Sequence, residues 1–291
     1  MKSLNALVNA TLVIEKLRVA SEVRQSHLKL QGKTDPETDE LHKRLVDLEA
    51  YVDGRIARLL ESHPAYPWFS RVKGIGKENI GKIVGMVRVA PEMRDDTELP
   101  YADTISALWK FCGFSVEDGR APKRVSGEKL SYNSQLRSMC WRLATSLERA
   151  GLRHHCGECG VIFGGTDKKT GKPREKCPKC GSANLSLIAT TKFTQYLLQQ
   201  KERYEQRYLN SGRHIVPAAQ LPKVNGKKVE TTEYISEGHV HNQALRKMIK
   251  LFLACLWLEW RKGEGLPLST PYAIGKLGHS SIIKPEEMVD R

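Results

Sequence analysis

The sequence predicts a mainly α protein with one small metal-stapled insertion. Three observations predict it: apolar residues recur at helical spacing over most of the chain, four cysteines stand as two C-x-x-C pairs, and the formal net charge is +14 over 291 residues. The first pattern builds helices, the second an ion site, and the third asks for a polyanionic partner. An apolar fraction of 40% is enough for packed cores at this length.

From Leu4 to Leu30, a stripe of Leu4, Leu7, Val8, Leu12, Val13, Leu17, Ala20 and Val23 runs opposite Lys16, Arg18 and Arg24, which is the pattern of one long helix. After Gly32, Thr34-Asp35-Pro36-Glu37 offers an N-cap carboxylate followed by proline in the first turn. Leu41, Leu45, Leu48, Val52, Ile56 and Leu59 then repeat near heptad spacing. Two long helices joined by a short polar turn predict an antiparallel coiled-coil hairpin over residues 1–63. It is closed by His63-Pro64-Ala65-Tyr66-Pro67, where the prolines stop helix propagation. An exposed heptad stripe offers a homodimer interface, and packing within the chain would satisfy it equally.

Residues 64–152 read as a helical nucleic-acid-binding domain. Gly74-Ile75-Gly76, between two helix-like segments, has the form of a helix-hairpin-helix, whose glycines let backbone N–H groups approach a phosphate. Lys73, Lys77 and Lys82 place charge beside it; a plain tight turn between helices is the alternative. A helix with Ile105, Leu108, Trp109 and Phe111 follows, ending at Cys112-Gly113-Phe114. The segment from Gly119 to Lys129 holds too much glycine, proline and charge for a core, so it is expected as an exposed loop, with Arg120, Lys123, Arg124 and Lys129 contacting a phosphate backbone. Asn133 and Arg137 open the next helix, which carries Met139, Leu143 and Leu147.

Residues 153–189 form the insertion. Cys156, Cys159, Cys177 and Cys180 have the spacing of a zinc ribbon, with Gly160 and Gly181 permitting each pair to fold around one ion. Four thiolates leave no open position, so the zinc is expected to be structural. Two disulfides or four free thiols are the alternatives. The chain starts without an apolar signal segment, which points to a reducing cytoplasm and favours the metal. Between the pairs, Lys168, Lys169 and Lys172 lie on a basic tip suited to an anion. Cys112, Cys140 and Cys255 sit among apolar residues and read as small buried hydrophobes.

Residues 190–291 are expected to pack back on the helical domain. A helix from Thr194 to Leu209 interleaves Tyr196, Tyr204 and Tyr208 with Lys201, Arg203 and Arg207, a pattern that serves either core packing or base stacking. Residues 210–240 read as a long loop with a turn at Asn225-Gly226-Lys227-Lys228. A strongly apolar helix from His241 to Trp260 follows, in which Asn242, Leu245, Arg246 and Met248 echo Asn133, Leu136, Arg137 and Met139. The longest apolar run, Leu251 to Leu258, is far too short to cross a bilayer, and no lipid-binding segment marks either end, so nucleic acid is preferred to a membrane surface as partner.

The order of hairpin, Gly-Ile-Gly turn, Trp109-x-x-x-Gly113-Phe114, basic loop and Asn133-x-x-Leu136-Arg137 resembles the C-terminal transposase domain of bridge-RNA-guided insertion-sequence recombinases. It is also similar to the RNA-guided Tas proteins, with which these share a Nop-like RNA-binding domain. The likeness covers roughly residues 40 to 150, and more loosely 193 to 260. It implies a Nop-like helical domain that holds a structured guide RNA and through it addresses DNA. Those recombinases carry an N-terminal RuvC-like domain with four acidic metal ligands, whereas only a helical hairpin precedes Gly74 here. Their serine nucleophile corresponds to a place where this chain reads Ser115-Val116-Glu117-Asp118-Gly119; Ser115 and Ser126 are the nominal candidates, without an evident base. The expectation is therefore a non-nuclease, RNA-guided DNA-binding protein with no catalytic residues. The alternatives are a transposase or recombinase acting on DNA strands, and an RNA-independent architectural DNA binder.

Overall fold

The computed structural model describes residues 2–90, 101–116, 119, 121–167, 170–171, 174–268 and 283–291. Among these, eight α-helices dominate: α1 (Lys2–Leu30), α2 (Pro36–Leu60), α3 (Tyr66–Phe69), α4 (Lys77–Val84), α5 (Ile105–Phe111), α6 (Ser134–Gly151), α7 (Lys192–Asn210) and α8 (Glu237–Gly263). The strands are short: β1 (Leu152–Cys156), β2 (Ile162–Phe163), β3 (Leu185–Ala189), β4 (His214–Val216), β5 (Lys223–Val224), β6 (Lys227–Lys228) and β7 (Tyr234–Ser236). The mainly α class read from periodicity holds.

Asp35 caps α2 as its position before Pro36 requires, accepting from the Thr38 N–H at 3.4 Å. The two long helices run antiparallel, because their cross-links pair falling with rising residue numbers: Thr11 to Asp53, Ser21 to His42, Gln25 to Asp39, and Arg24 to Asp35. The face of α2 turned to α1 is mostly polar in its outer half, with Thr38, His42 and Glu49 around a half-buried Leu45, and apolar toward the base, at Val52, Ile56 and Leu60. Leu41 and Leu48, read as heptad positions, instead face solvent at 54% and 46% exposure. Hydrogen-bonding side chains take the seam and leave these leucines outside it.

Helix α4 wedges into the base of this pair through two glycines. A Cβ on Gly81 would come within 2.4 Å of Ile56 Cγ2, and one on Gly85 within 2.6 Å of Val8 Cγ2, so only glycine permits the approach. Behind it, α8 is the central strut. Ala244, Met248, Ile249, Phe252, Leu256, Trp257 and Trp260 are all buried along it, in one core with α3, α5, α6 and α7. Three indole N–H groups are satisfied at distant carbonyls: Trp257 donates to Ala102 at 2.9 Å, Trp109 to Lys250 at 3.0 Å and Trp68 to Pro285 at 2.8 Å. These bonds fix helix positions as well as burying area.

Helix α6 runs directly into β1, and β3 returns to α7, so the insertion leaves and re-enters at one point. There Gly151 is obligatory, since a Cβ would lie 2.1 Å from Thr191 Oγ1. Thr191 and Thr194 form the capping box that starts α7, and Thr190 N–H donates to the Gly151 carbonyl at 2.8 Å. The stretch read as a long loop at 210–240 holds two small sheets instead. β4 pairs in parallel with β7, and β5 pairs with β6 across Asn225-Gly226, whose φ values of 50° and 75° are those of the expected hairpin turn.

Candidate metal centre and nucleic-acid interface

The insertion is a three-stranded antiparallel sheet in the order β2-β1-β3. Each cysteine pair sits on a tight turn closed by a left-handed glycine, Gly160 at φ 69° and Gly181 at φ 75°, whose N–H groups donate to the carbonyls of Cys156 and Cys177. All four sulfurs lie within 4.8 Å of one another. The short contacts run across the two pairs, Cys156 to Cys180 at 3.5 Å and Cys159 to Cys177 at 3.6 Å, so this is one four-sulfur cluster and not two disulfides. Thiolates about 2.3 Å from a tetrahedral ion stand about 3.8 Å apart, and the cluster fits that geometry. The remaining cysteines, Cys112, Cys140 and Cys255, are buried as expected.

The Gly-Ile-Gly turn is less open than its sequence implies. Only the single turn of α3 precedes it. Gly74 is pressed on α6, its carbonyl accepting from Ser146 Oγ at 2.7 Å, and a Cβ there would lie 2.7 Å from that of Ala150. The Lys73 N–H already donates to the Asp290 carboxylate at 2.8 Å. Gly76, exposed, precedes α4, and Lys77 pairs with Glu61 at 2.9 Å. Lys82 corrects the expectation of an exposed phosphate contact: it is buried and held by Glu15 at 3.0 Å, because α4 turns this residue into the hairpin base. Burial alone would raise the Glu15 pKa, but bonds from Arg142 and Lys82 outweigh it and hold that carboxyl below its ordinary range.

The cations come together elsewhere. A cleft of about 620 Å³ opens between the loop after α5, α6, α7 and α8, lined by Lys123, Arg137, Arg207, Arg246, Lys247 and Lys250 with Trp141 and Tyr204. Among its described lining residues none is acidic. Burial lowers the pKa of Arg246, helped by Arg137, and that of Lys247, helped by Arg203 and Arg246. Lys250 lies 3.9 Å from the Trp109 ring centre, and burial, reinforced by Lys247 and Arg246, brings it down to about 8. Burial in turn raises the Tyr204 phenol.

The loop that roofs the cleft is clamped by the two arginines of the internal echo. Arg137 donates to the Pro122 carbonyl at 3.0 Å and lies over Tyr132, while Arg246 donates to the Ser115 carbonyl at 2.6 Å and lies over Phe114. Gly113 makes this possible, since a Cβ would meet Tyr132 and Arg137 within 3.0 Å. Asn133 caps α6 by accepting from the Leu136 N–H at 3.0 Å and is not spread toward a ligand, whereas Asn242 lines the cleft.

Of the expected contacts, Lys123 and Arg137 line the cleft, and Lys73, Arg124 and Lys129 are exposed outside its lining. Arg120, Lys168, Lys169 and Lys172 lie outside the described residues. Sequence reading missed Lys247 and Lys250 because α8 reads as an apolar helix. Its signal was a polar stripe at His239, Asn242, Gln243, Arg246, Lys247 and Lys250, spaced three and four along one face. No family model, curated protein or solved structure matches the chain.

Proposed function

We propose that this protein binds nucleic acid, with the cleft between α6, α7 and α8 gripping the phosphate backbone and a zinc ion in the four-cysteine cluster holding the ribbon folded. One observation carries the reading: six cations, with Arg246 and Lys250 half-buried beside Lys247, line a cleft whose described lining has no carboxylate. Like charges kept together out of water raise each other's energy, and an anionic ligand relieves them. The cleft's aromatic members suit bases in addition to phosphate. The resemblance to RNA-guided proteins makes a structured guide RNA the first partner and DNA, addressed through it, the second.

The test is isolation at low salt in a metal-free buffer. The expected result is co-purified RNA, one equivalent of zinc, and an affinity that falls steeply with salt as phosphate contacts release counterions. Protein free of RNA and indifferent to every candidate guide removes the guide reading. Nuclease-insensitive binding to bare duplex selects the architectural alternative. The strand-transfer reading has one feature in its favour, the position of Ser115 beside Arg246. It requires a covalent serine–DNA adduct that Ser115→Ala abolishes.

A further inference from the structure

Among the described residues, Trp141 lines both of two neighbouring depressions. On one flank of α6 it lines the basic cleft, and on the other a shallower depression of about 700 Å³ with Asn79, Ser138, Arg142, Thr145 and Arg149. The ring therefore stands on the ridge between them, backed by Phe114 at 5.7 Å between centroids. Ser138, Trp141, Arg142, Thr145 and Arg149 recur at three- and four-residue spacing, so they form one stripe along α6. From Ser138 to Arg149 that stripe extends about 16 Å at 1.5 Å per residue. The second depression has no carboxylate among its described lining residues, but Glu15 already holds Arg142, so Arg149 is the exposed cation it offers.

We infer that the two depressions form one track for a single-stranded polynucleotide, which enters the cleft, crosses the ridge with a base stacked on Trp141, and leaves past Arg149. This rests on the nucleic-acid reading and specifies the form of ligand. Two physical arguments select a single strand. A cleft of about 620 Å³ has the volume of a small-molecule pocket, which accepts a nucleotide or two and excludes a duplex. A ring on a ridge reaches the face of a base only when that base is unstacked from its neighbours.

The experiment measures binding of the full chain to a labelled single-stranded RNA, a single-stranded DNA of the same sequence and the corresponding blunt duplex, at one salt concentration. Wild type is expected to prefer single strands of either sugar. Trp141→Ala should weaken them about 5- to 150-fold, the equivalent of about 1–3 kcal/mol for one stacked base, with duplex binding unchanged. Trp141→Phe keeps a ring and should restore most of the loss, which separates stacking from a folding defect. Arg149→Glu, an exposed change on the far flank, should weaken long single strands and leave dinucleotides unaffected. Preference for duplex, or equal loss on duplex and single strand in Trp141→Ala, overturns the track while leaving the binding function in place. Failure of wild type to bind any of the three overturns both.

Discussion

Two lysines taken from solvent teach opposite lessons. Lys82, on α4, is buried at the hairpin base and meets Glu15, which also holds Arg142, so its charge is matched within the fold. Lys250, on α8, lies over Trp109 beside Lys247 and Arg246 with no carboxylate among the described residues of its cleft. The first arrangement is complete without a ligand. The second leaves its charge unmatched within the described lining, and under the proposed function that separates a structural cation from a binding one.

Breaking the matched pair should have the largest effect. Glu15→Ala strands Lys82 in the core, where removing one partner of a buried pair costs about 3–5 kcal/mol. Urea unfolding should show a loss of that size, with nucleic-acid affinity per folded molecule not reduced, because the change removes a carboxylate and releases Arg142. Lys82→Met should leave that affinity unchanged; a loss there would place Lys82 in the binding surface after all.

Lys250→Met should behave in the reverse sense. With a cation removed from an unmatched cluster, stability at pH 7 should not fall, while affinity for a polyanion drops about tenfold and the salt slope by about one. A pH signature accompanies this. The Lys250 pKa stands at about 8 in the folded protein against an ordinary 10.5. Between these values the unfolded chain holds a proton that the folded one lacks. The stabilising contribution is thus complete above 10.5 and lost as pH falls through 8. Affinity should run the other way, declining as pH rises through about 8, because the charge that meets phosphate disappears. In Lys250→Met both dependences should vanish over that window. Calorimetric unfolding and anisotropy titrations between pH 7 and 10 check them.

The smallest effect is expected on the exposed loop. Arg124→Ala and Lys129→Ala alter residues outside the cleft lining, so stability should stay within about 0.5 kcal/mol. Their affinity losses should be smaller than that of Lys250→Met, a ranking that reverses if the loop and not the cleft carries the phosphates.

Much of this was legible in the sequence, because local physics fixes it. Helical periodicity gave the long helices. Asp35 before Pro36 gave the start of α2, Asn225-Gly226 gave a hairpin turn, and two C-x-x-C pairs with their glycines gave a four-sulfur cluster. The first three depend on residues within a few positions, where backbone conformation follows side-chain chemistry directly, and the cluster joins two such local turns across about twenty residues. The hairpin seam was misread because leucine spacing cannot report that Thr38, His42 and Glu49 find hydrogen-bonding partners on α1. Tertiary structure alone decided which cations are matched. Glu15 and Lys82 are 67 positions apart, and Arg137 and Arg246 clamp one loop from helices more than a hundred residues apart. The balance of charge at a point depends on every group that folding brings there, so net charge pointed to a polyanion, and only the packing of α6, α7 and α8 shows where the unmatched cations gather.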